Sequence, residues 1–325
     1  MHRHRVSVWS VAVAILAAGL LAGTPGWAQD ASYPRKPITF VVPNEAGSAL
    51  DSLSRPLADL MQKELGQPIM IVSKPGGAGT IGLREVQGAR PDGYTIGISA
   101  TVHYAKLVGL VPFDHHDLTI LGIPAAGVPT VMVPASRPWK TVAELVDYAR
   151  SHPGALKVAT TSRGGYWWLA TKSLEKHAGL KLNVLAQPGG GAMVVNQVAG
   201  GHVDFGVAGL AESRSQVQAG NVRILAVFGQ RRVAGYEQIP PLSDAGYKIE
   251  MLGVTVLVAP KDLPKPVHDA LARAYAAAVK SPVFEKTMRD LGSTPLGLGS
   301  DEAFKYLDEQ AEAMRPILAD AGLLK

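Results

Sequence analysis

Three stretches rich in small residues carry most of the chemistry available to this sequence. They are Pro43-Asn44-Glu45-Ala46-Gly47-Ser48-Ala49-Leu50-Asp51, Thr160-Thr161-Ser162-Arg163-Gly164-Gly165 and Gln187-Pro188-Gly189-Gly190-Gly191. Each follows an apolar, β-rich run and opens a helical pattern. A helix start presents unpaired backbone N–H groups and a partial positive charge. Small residues let a ligand reach that backbone, so each turn is a candidate cradle for a carboxylate or phosphate. In open α/β sheets such turns lie at the carboxyl ends of strands, where ligands bind. Any one of them could be a plain helix cap; their presence in both halves of the chain favours binding. A helix terminus contributes about 0.3–1 kcal/mol to an anion, up to about 2 when partly buried. A hydrogen bond to a charged group adds about 1.5–3 kcal/mol. Two termini and three or four such bonds reach roughly the −8 kcal/mol of a micromolar complex once association costs are met. No catalytic group is required.

Other motifs point less far. Gly77-x-Gly79-x-x-Gly82 follows a strand and opens a helix, as a dinucleotide fingerprint does, but Ser99 and Ala100 stand where its acidic partner belongs. No cofactor is expected. His115-His116-Asp117 has no carboxylate or histidine at helical i, i+4 spacing, so it is read as a solvated turn and no metal is expected. There is no Gly-x-Ser-x-Gly elbow, and the nine histidines are scattered. With no cysteine, thiolate zinc sites, iron–sulfur clusters, cysteine nucleophiles, disulfides and lipid attachment are all excluded. The net charge of +5 is spread over basic residues that alternate with acidic ones, as at Lys261-Asp262 and Arg289-Asp290. That pattern leaves no footprint for nucleic acid.

The elements that must hold these turns alternate between short apolar runs and helical periodicity. Ile38–Val42, Ile69–Val72 and Tyr94–Ile98 read as strands, with helices over 50–65 and around Ile81–Ala89. The pattern restarts with strands at Thr130–Val133, Leu156–Thr160, Leu182–Leu185, Val203–Val207 and Val222–Val227, joined by helices. Met251–Ala259 reads as one further strand, and helices near 266–279 and 301–321 close the chain. Such alternation implies an α/β fold with a largely parallel sheet in each of two lobes. The expected boundaries are 29–129 plus 251–325 for the first lobe and 130–250 for the second. A chain that crosses twice between lobes forms a hinge over a cleft, which suits closure on a ligand.

Residues 1–28 read as an export signal. Arg3 and Arg5 precede the short apolar stretch Val11–Ala22, and Gly26-Trp27-Ala28 supplies small residues at −3 and −1. Cleavage after Ala28 and export are expected, with no membrane insertion of the mature chain.

Motifs spread over nearly the whole mature chain carry a resemblance. From Tyr33-Pro34-x-x-Pro37-Ile38-x-x-Val41-Val42-Pro43 it runs through Lys74-Pro75-Gly76-Gly77-Ala78-Gly79-x-Ile81-Gly82, Pro91-Asp92-Gly93-Tyr94-Thr95 and Val111-Pro112-Phe113-Asp114. It ends with Ala199-Gly200-Gly201-His202-Val203-Asp204 and Val258-Ala259-Pro260. In these motifs the chain resembles the Bug-type periplasmic receptors of tripartite tricarboxylate transporters. The resemblance implies a two-lobe, type II periplasmic-binding-protein-like fold that is no enzyme and closes on a small carboxylate. It implies delivery to integral-membrane permease subunits, and a monomer is expected. A receptor feeding a sensor kinase is the alternative within the binding class, and a periplasmic hydrolase the alternative outside it.

By position the resemblance assigns ligand contacts to Asn44, Glu45, Ala46, Gly47, Ser48 and Asp51 in the first lobe. In the second it assigns Thr161, Ser162, Arg163, Gly164, Gly165 and Tyr166. Ser99, Thr101, Gln187 and Ala208 complete the expected set. Asp51 can equally serve its own helix terminus. Departures from the family pattern bear on the ligand: Arg163 replaces a small polar residue, and Trp167-Trp168 stand where Pro and His are common. Ala208-Gly209 replace an Asp-Asn pair that recognises amino or hydroxyl groups, which argues against an amino acid. The expected ligand is an organic acid, a dicarboxylate or aromatic acid, with Arg163 pairing one carboxylate through two parallel hydrogen bonds.

Overall fold

The computed structural model describes residues 33–187 and 190–325. The export signal, its cleavage point and the Pro188-Gly189 step of the third turn lie outside the described residues. The apolar run after Pro37 forms β1 (Ile38–Val42), almost wholly buried, as a strand covered on both faces must be. Helix α1 (Ala49–Leu65) follows, and the side chain of its N-cap Ser48 accepts from the Asp51 amide. Leu50, Leu53, Leu57 and Met61 recur at helical spacing and are buried, and Gly66 ends the helix in the left-handed conformation at φ 67°. Then come β2 (Ile69–Ser73), α2 (Thr80–Gln87) and β3 (Thr95–Ser99).

The chain continues through β4 (Leu118–Gly127) and β5 (Pro129–Pro134) to α3 (Val142–Ser151), β6 (Lys157–Thr161) and α4 (Tyr166–Ala178). Next are β7 (Asn183–Gln187), α5 (Gly190–Ala199), β8 (Phe205–Gly209), α6 (Leu210–Gln218) and β9 (Val222–Val227). The last stretch holds β10 (Gly253–Val254), β11 (Val256–Pro260), α7 (Lys265–Val279), α8 (Pro282–Asp290), β12 (Ser293–Leu298) and α9 (Ser300–Asp320).

Two sheets result. The first runs β10-β4-β11-β3-β1-β2, with β12 also on β4; the second runs β7-β6-β8-β5-β9. Each is mixed, not largely parallel as the alternating pattern implied. Among the described strands, parallel ladders join β2-β1-β3 and β7-β6-β8, where helical crossovers link them. The strands that carry the chain between sheets, or return from the other one, come in antiparallel.

The chain leaves the first sheet at Val128, between β4 and β5, and returns after β9. At this junction Gly127 pairs with Gly253, the Leu210 amide donates to the Val128 carbonyl at 2.8 Å, and the Phe228 amide donates to Pro129 at 2.9 Å. Helix α9 spans two cores. Its Ala303 and Leu307 pack with Val102, Ile120 and Val256, whereas Met314 and Leu318 pack with Tyr104, Tyr166 and Trp168.

Candidate ligand-binding site

The turn after β1 is built around Asp51. Its carboxylate accepts from the Gly47 amide at 2.8 Å and from Arg55 Nε and Nη2 at 3.0 and 2.9 Å. Asp51 is buried and holds the turn in shape, while Asn44, Glu45, Ala46 and Gly47 stand exposed and Ser48 is half-buried. Gly47 takes φ 81°, a left-handed value that a side chain would strain. One strand over in the sheet, β3 ends at buried Ser99, whose hydroxyl accepts from the Thr101 and Val102 amides at 3.2 and 3.1 Å.

In the second sheet the turn after β6 closes by donation from the Gly165 amide to the Ser162 carbonyl at 2.8 Å, with Gly164 at φ 81°. Gly165 then caps α4 without a side chain, so no side chain of its own satisfies the first-turn amides there. Thr161 pairs with Gln187 across β6 and β7, and the Ser162 hydroxyl donates to the Gln187 carbonyl at 3.4 Å. Ala208 is buried in β8, its carbonyl accepting from the Thr130 hydroxyl at 2.9 Å. Arg163 is exposed, and its guanidinium reaches the Ala321 carbonyl beyond α9 at 3.5 Å.

Aromatic rings join the two halves. His103 lies 5.0 Å from Tyr104 and 6.4 Å from Tyr166, and Tyr104 lies 6.3 Å from Tyr166, ring centre to ring centre. The segment after β3 therefore meets the first residue of α4. These groups are buried, yet both ring nitrogens of His103 and the hydroxyls of Thr101, Tyr104, Thr160, Thr161 and Tyr166 have no hydrogen-bond partner among the described residues. The Tyr166 hydroxyl lies beside the Leu252 backbone without hydrogen-bonding geometry. Burial pulls His103 down to about 3, with the neighbouring His115 adding to the shift, and pushes the Tyr104 and Tyr166 phenols up. All three are neutral at ordinary pH. They can exchange hydrogen bonds with a ligand, but His103 has no carboxylate to orient it as a general base.

Trp167 closes the junction from the second sheet. A β-carbon on Gly253 or Gly127 would fall 2.8 or 3.1 Å from its indole, so both glycines make room for the ring. Its Nε1 donates to Glu212 Oε1 at 3.3 Å. The Glu212 carboxyl also fills the space that a side chain at Gly209 would need and crowds Gly191, so it lies among the starts of α4, α5 and α6. Burial pushes this carboxyl up, offset in part by its own amide and the indole N–H.

His103, Tyr104 and Glu212 escape a reading of the sequence alone. The first two follow Thr101 directly and could have been reached by extending that turn. Nothing in the sequence marks Glu212, because α6 has a weak apolar pattern.

Among the described residues no helix is long and apolar enough to cross a membrane. The sequence profile of a family described as "Tripartite tricarboxylate transporter family receptor" matches residues 53–323. A curated Cupriavidus necator protein, "UPF0065 protein in gbd 5'region", is 28% identical over 99% of this chain and 98% of its own length. An R. palustris protein solved with adipate is 25% identical, with a TM-score of 0.83 over 90% of this chain and 99% of that one. MatC from Rhodopseudomonas palustris, solved with bound malate, shares the fold at 22% identity and a TM-score of 0.78, covering 88% of this chain and all of that one. With two sheets joined at a double crossing and a profile match over most of its length, this chain belongs to the receptors of the tripartite tricarboxylate transporter family, which are binding proteins and not enzymes.

Proposed function

We propose that this chain is a periplasmic receptor that holds a small organic carboxylate between its two sheets and delivers it to permease subunits of a tripartite tricarboxylate transporter. The observation that carries the reading is the set of buried, unpartnered polar groups on His103, Tyr104, Thr161 and Tyr166, drawn from both halves of the chain. Buried polar groups are paired in nearly all folded proteins, and a carboxylate with its waters would pair these. The exposed backbone at Asn44–Ala46 and the uncapped start of α4 supply amide donors on either side. The relative solved with adipate supports a dicarboxylate as the first class to test. Asp51 acts here as a positioning residue, because its oxygens are taken by Gly47 and Arg55. Arg163, held by one long hydrogen bond, is the group proposed to pair a second carboxylate; Arg163→Ala should weaken a dicarboxylate more than a monocarboxylate of similar size in a calorimetric titration.

A thermal-shift screen over mono-, di- and tricarboxylates and amino acids tests the reading. A ligand at 100 times its dissociation constant adds about 2.7 kcal/mol of stability, enough to raise the midpoint by several degrees. Stabilisation by an organic acid is the expected result. Failure of every carboxylate to stabilise the protein would refute it. Mass spectrometry of the exported protein should find the chain starting at Gln29.

A further inference from the structure

The turn at 114–117 and helix α9 gather nitrogen and oxygen donors that carboxylate binding leaves unused. His115 Nε2 lies 3.0 Å from Asp308 Oδ1, and His116 Nε2 lies 3.5 Å from the same oxygen. The separation of 193 positions between His115 and Asp308 hides this arrangement from any argument based on spacing, which is why the histidines read as a solvated turn. One donor atom from each of Asp114, His115 and His116 falls within 4.8 Å of the others.

Asp114 sets the geometry. Its Oδ1 accepts from the His116 amide at 2.9 Å and lies 3.2 Å from His116 Nδ1. A carboxylate on one ring nitrogen leaves the other free to ligate and fixes the ring's direction, as in carboxylate–histidine–zinc arrangements. Lys106 pairs with Asp114 Oδ2 at 2.9 Å, whereas the Asp308 carboxylate faces only the two imidazoles among the described residues. The Phe304 ring backs both imidazoles at 5.2 and 4.9 Å.

We propose that His115, His116 and Asp308 form a binding site for a divalent transition metal, Zn²⁺ first among them, oriented by Asp114 and completed by water. Tetrahedral bonds of about 2.0–2.1 Å set ligand atoms about 3.3–3.4 Å apart, and the two imidazoles stand 3.0 and 3.5 Å from the Asp308 oxygen. Two imidazoles and one carboxylate suit Zn²⁺ or Cu²⁺; Mg²⁺ and Ca²⁺ take shells of oxygen. Because Asp308 lies on α9, which packs against both cores, the metal ties the 114–117 turn to the helix that spans them. Metal that binds the native state in preference to the unfolded chain raises stability.

The test is calorimetric titration of the purified chain, free of any histidine tag, with Zn²⁺ in a non-chelating buffer and without carboxylates. Electron paramagnetic resonance with Cu²⁺ provides a second readout. One ion per chain, nitrogen hyperfine structure from imidazole and a raised thermal midpoint are expected. His116 and Asp308 are each about half exposed, at 56% and 51%, so His116→Ala and Asp308→Asn should fold. Each should weaken binding by about tenfold or more, whereas His202→Ala, at an exposed histidine in the other half of the chain, should leave it unchanged. Absence of stoichiometric binding, or binding that survives both ligand substitutions, overturns the proposal. Carboxylate affinity is measured separately in metal-free buffer, so the two proposals fail independently.

Discussion

At the scale of single residues, the buried Tyr166 hydroxyl and the half-buried Glu212 each carry a test. The Tyr166 hydroxyl is buried without a partner, so the ligand-free protein gains nothing from it. Tyr166→Phe should therefore keep or raise the thermal midpoint while weakening the best carboxylate by about tenfold or more, the loss of one hydrogen bond to a charged group. A midpoint that falls with affinity unchanged would assign the hydroxyl a structural role. Glu212 works in a related way. Its carboxyl is raised by burial, so the stability it confers is present at low pH and is lost as pH rises through its folded value. Glu212→Gln should raise the midpoint at pH 7, and the gain should fade as pH falls into the ordinary carboxylate range. A gain independent of pH would mean that burial of the charge is not the cause. In the sequence, Ala208-Gly209 looked like the loss of an acidic group. The structure puts a carboxyl at that place from three residues further on, which local spacing cannot reveal.

Elements with strong periodicity or clear punctuation were legible. β1 matches its predicted span, and α1 begins one residue earlier than expected and ends at Gly66. Thr141 caps α3 by accepting from the Glu144 amide, while the Glu144 carboxylate accepts from the Lys140 amide. β4 was missed although it is long, because Gly122, Pro124 and Gly127 look like loop residues. Tertiary packing explains one of them: a β-carbon at Gly122 would run into the Tyr275 ring, whose hydroxyl donates to Leu298 at 2.8 Å. β12 was missed for a similar reason, since Pro295 and Gly297 interrupt it and a register shift accommodates them. The predicted strand at 251–259 divides into β10 and β11, with the Thr255 hydroxyl donating to the Ala125 carbonyl between them. The same packing logic gives a test at the junction. Gly253→Ala should cost about 1–3 kcal/mol in urea unfolding through overpacking against the Trp167 indole, and Trp167→Phe in that background should recover part of it. No loss of stability would show that the indole does not fill the junction.

Across the whole molecule, the junction between the sheets is a buried neutral interior and should respond to acid as one. His103 is held near 3 against an ordinary 6.5. The unfolded chain therefore takes up a proton that the native state refuses, and stability falls as pH drops through 6.5 towards 3. One such group contributes at most about 1.4 kcal/mol per pH unit. His103→Phe should flatten the dependence of the midpoint between pH 6.5 and 4, and an unchanged slope would assign the acid sensitivity elsewhere.

The proposed capture of a carboxylate draws on that same interior, and its most direct test is a crystal structure with the acid that stabilises the protein best. The account predicts a carboxylate within hydrogen-bonding distance of the Thr161–Tyr166 turn on one side and of the 44–48 turn or the Ser99–Tyr104 segment on the other. An acid bound to one sheet alone, or on the outer surface, would contradict it.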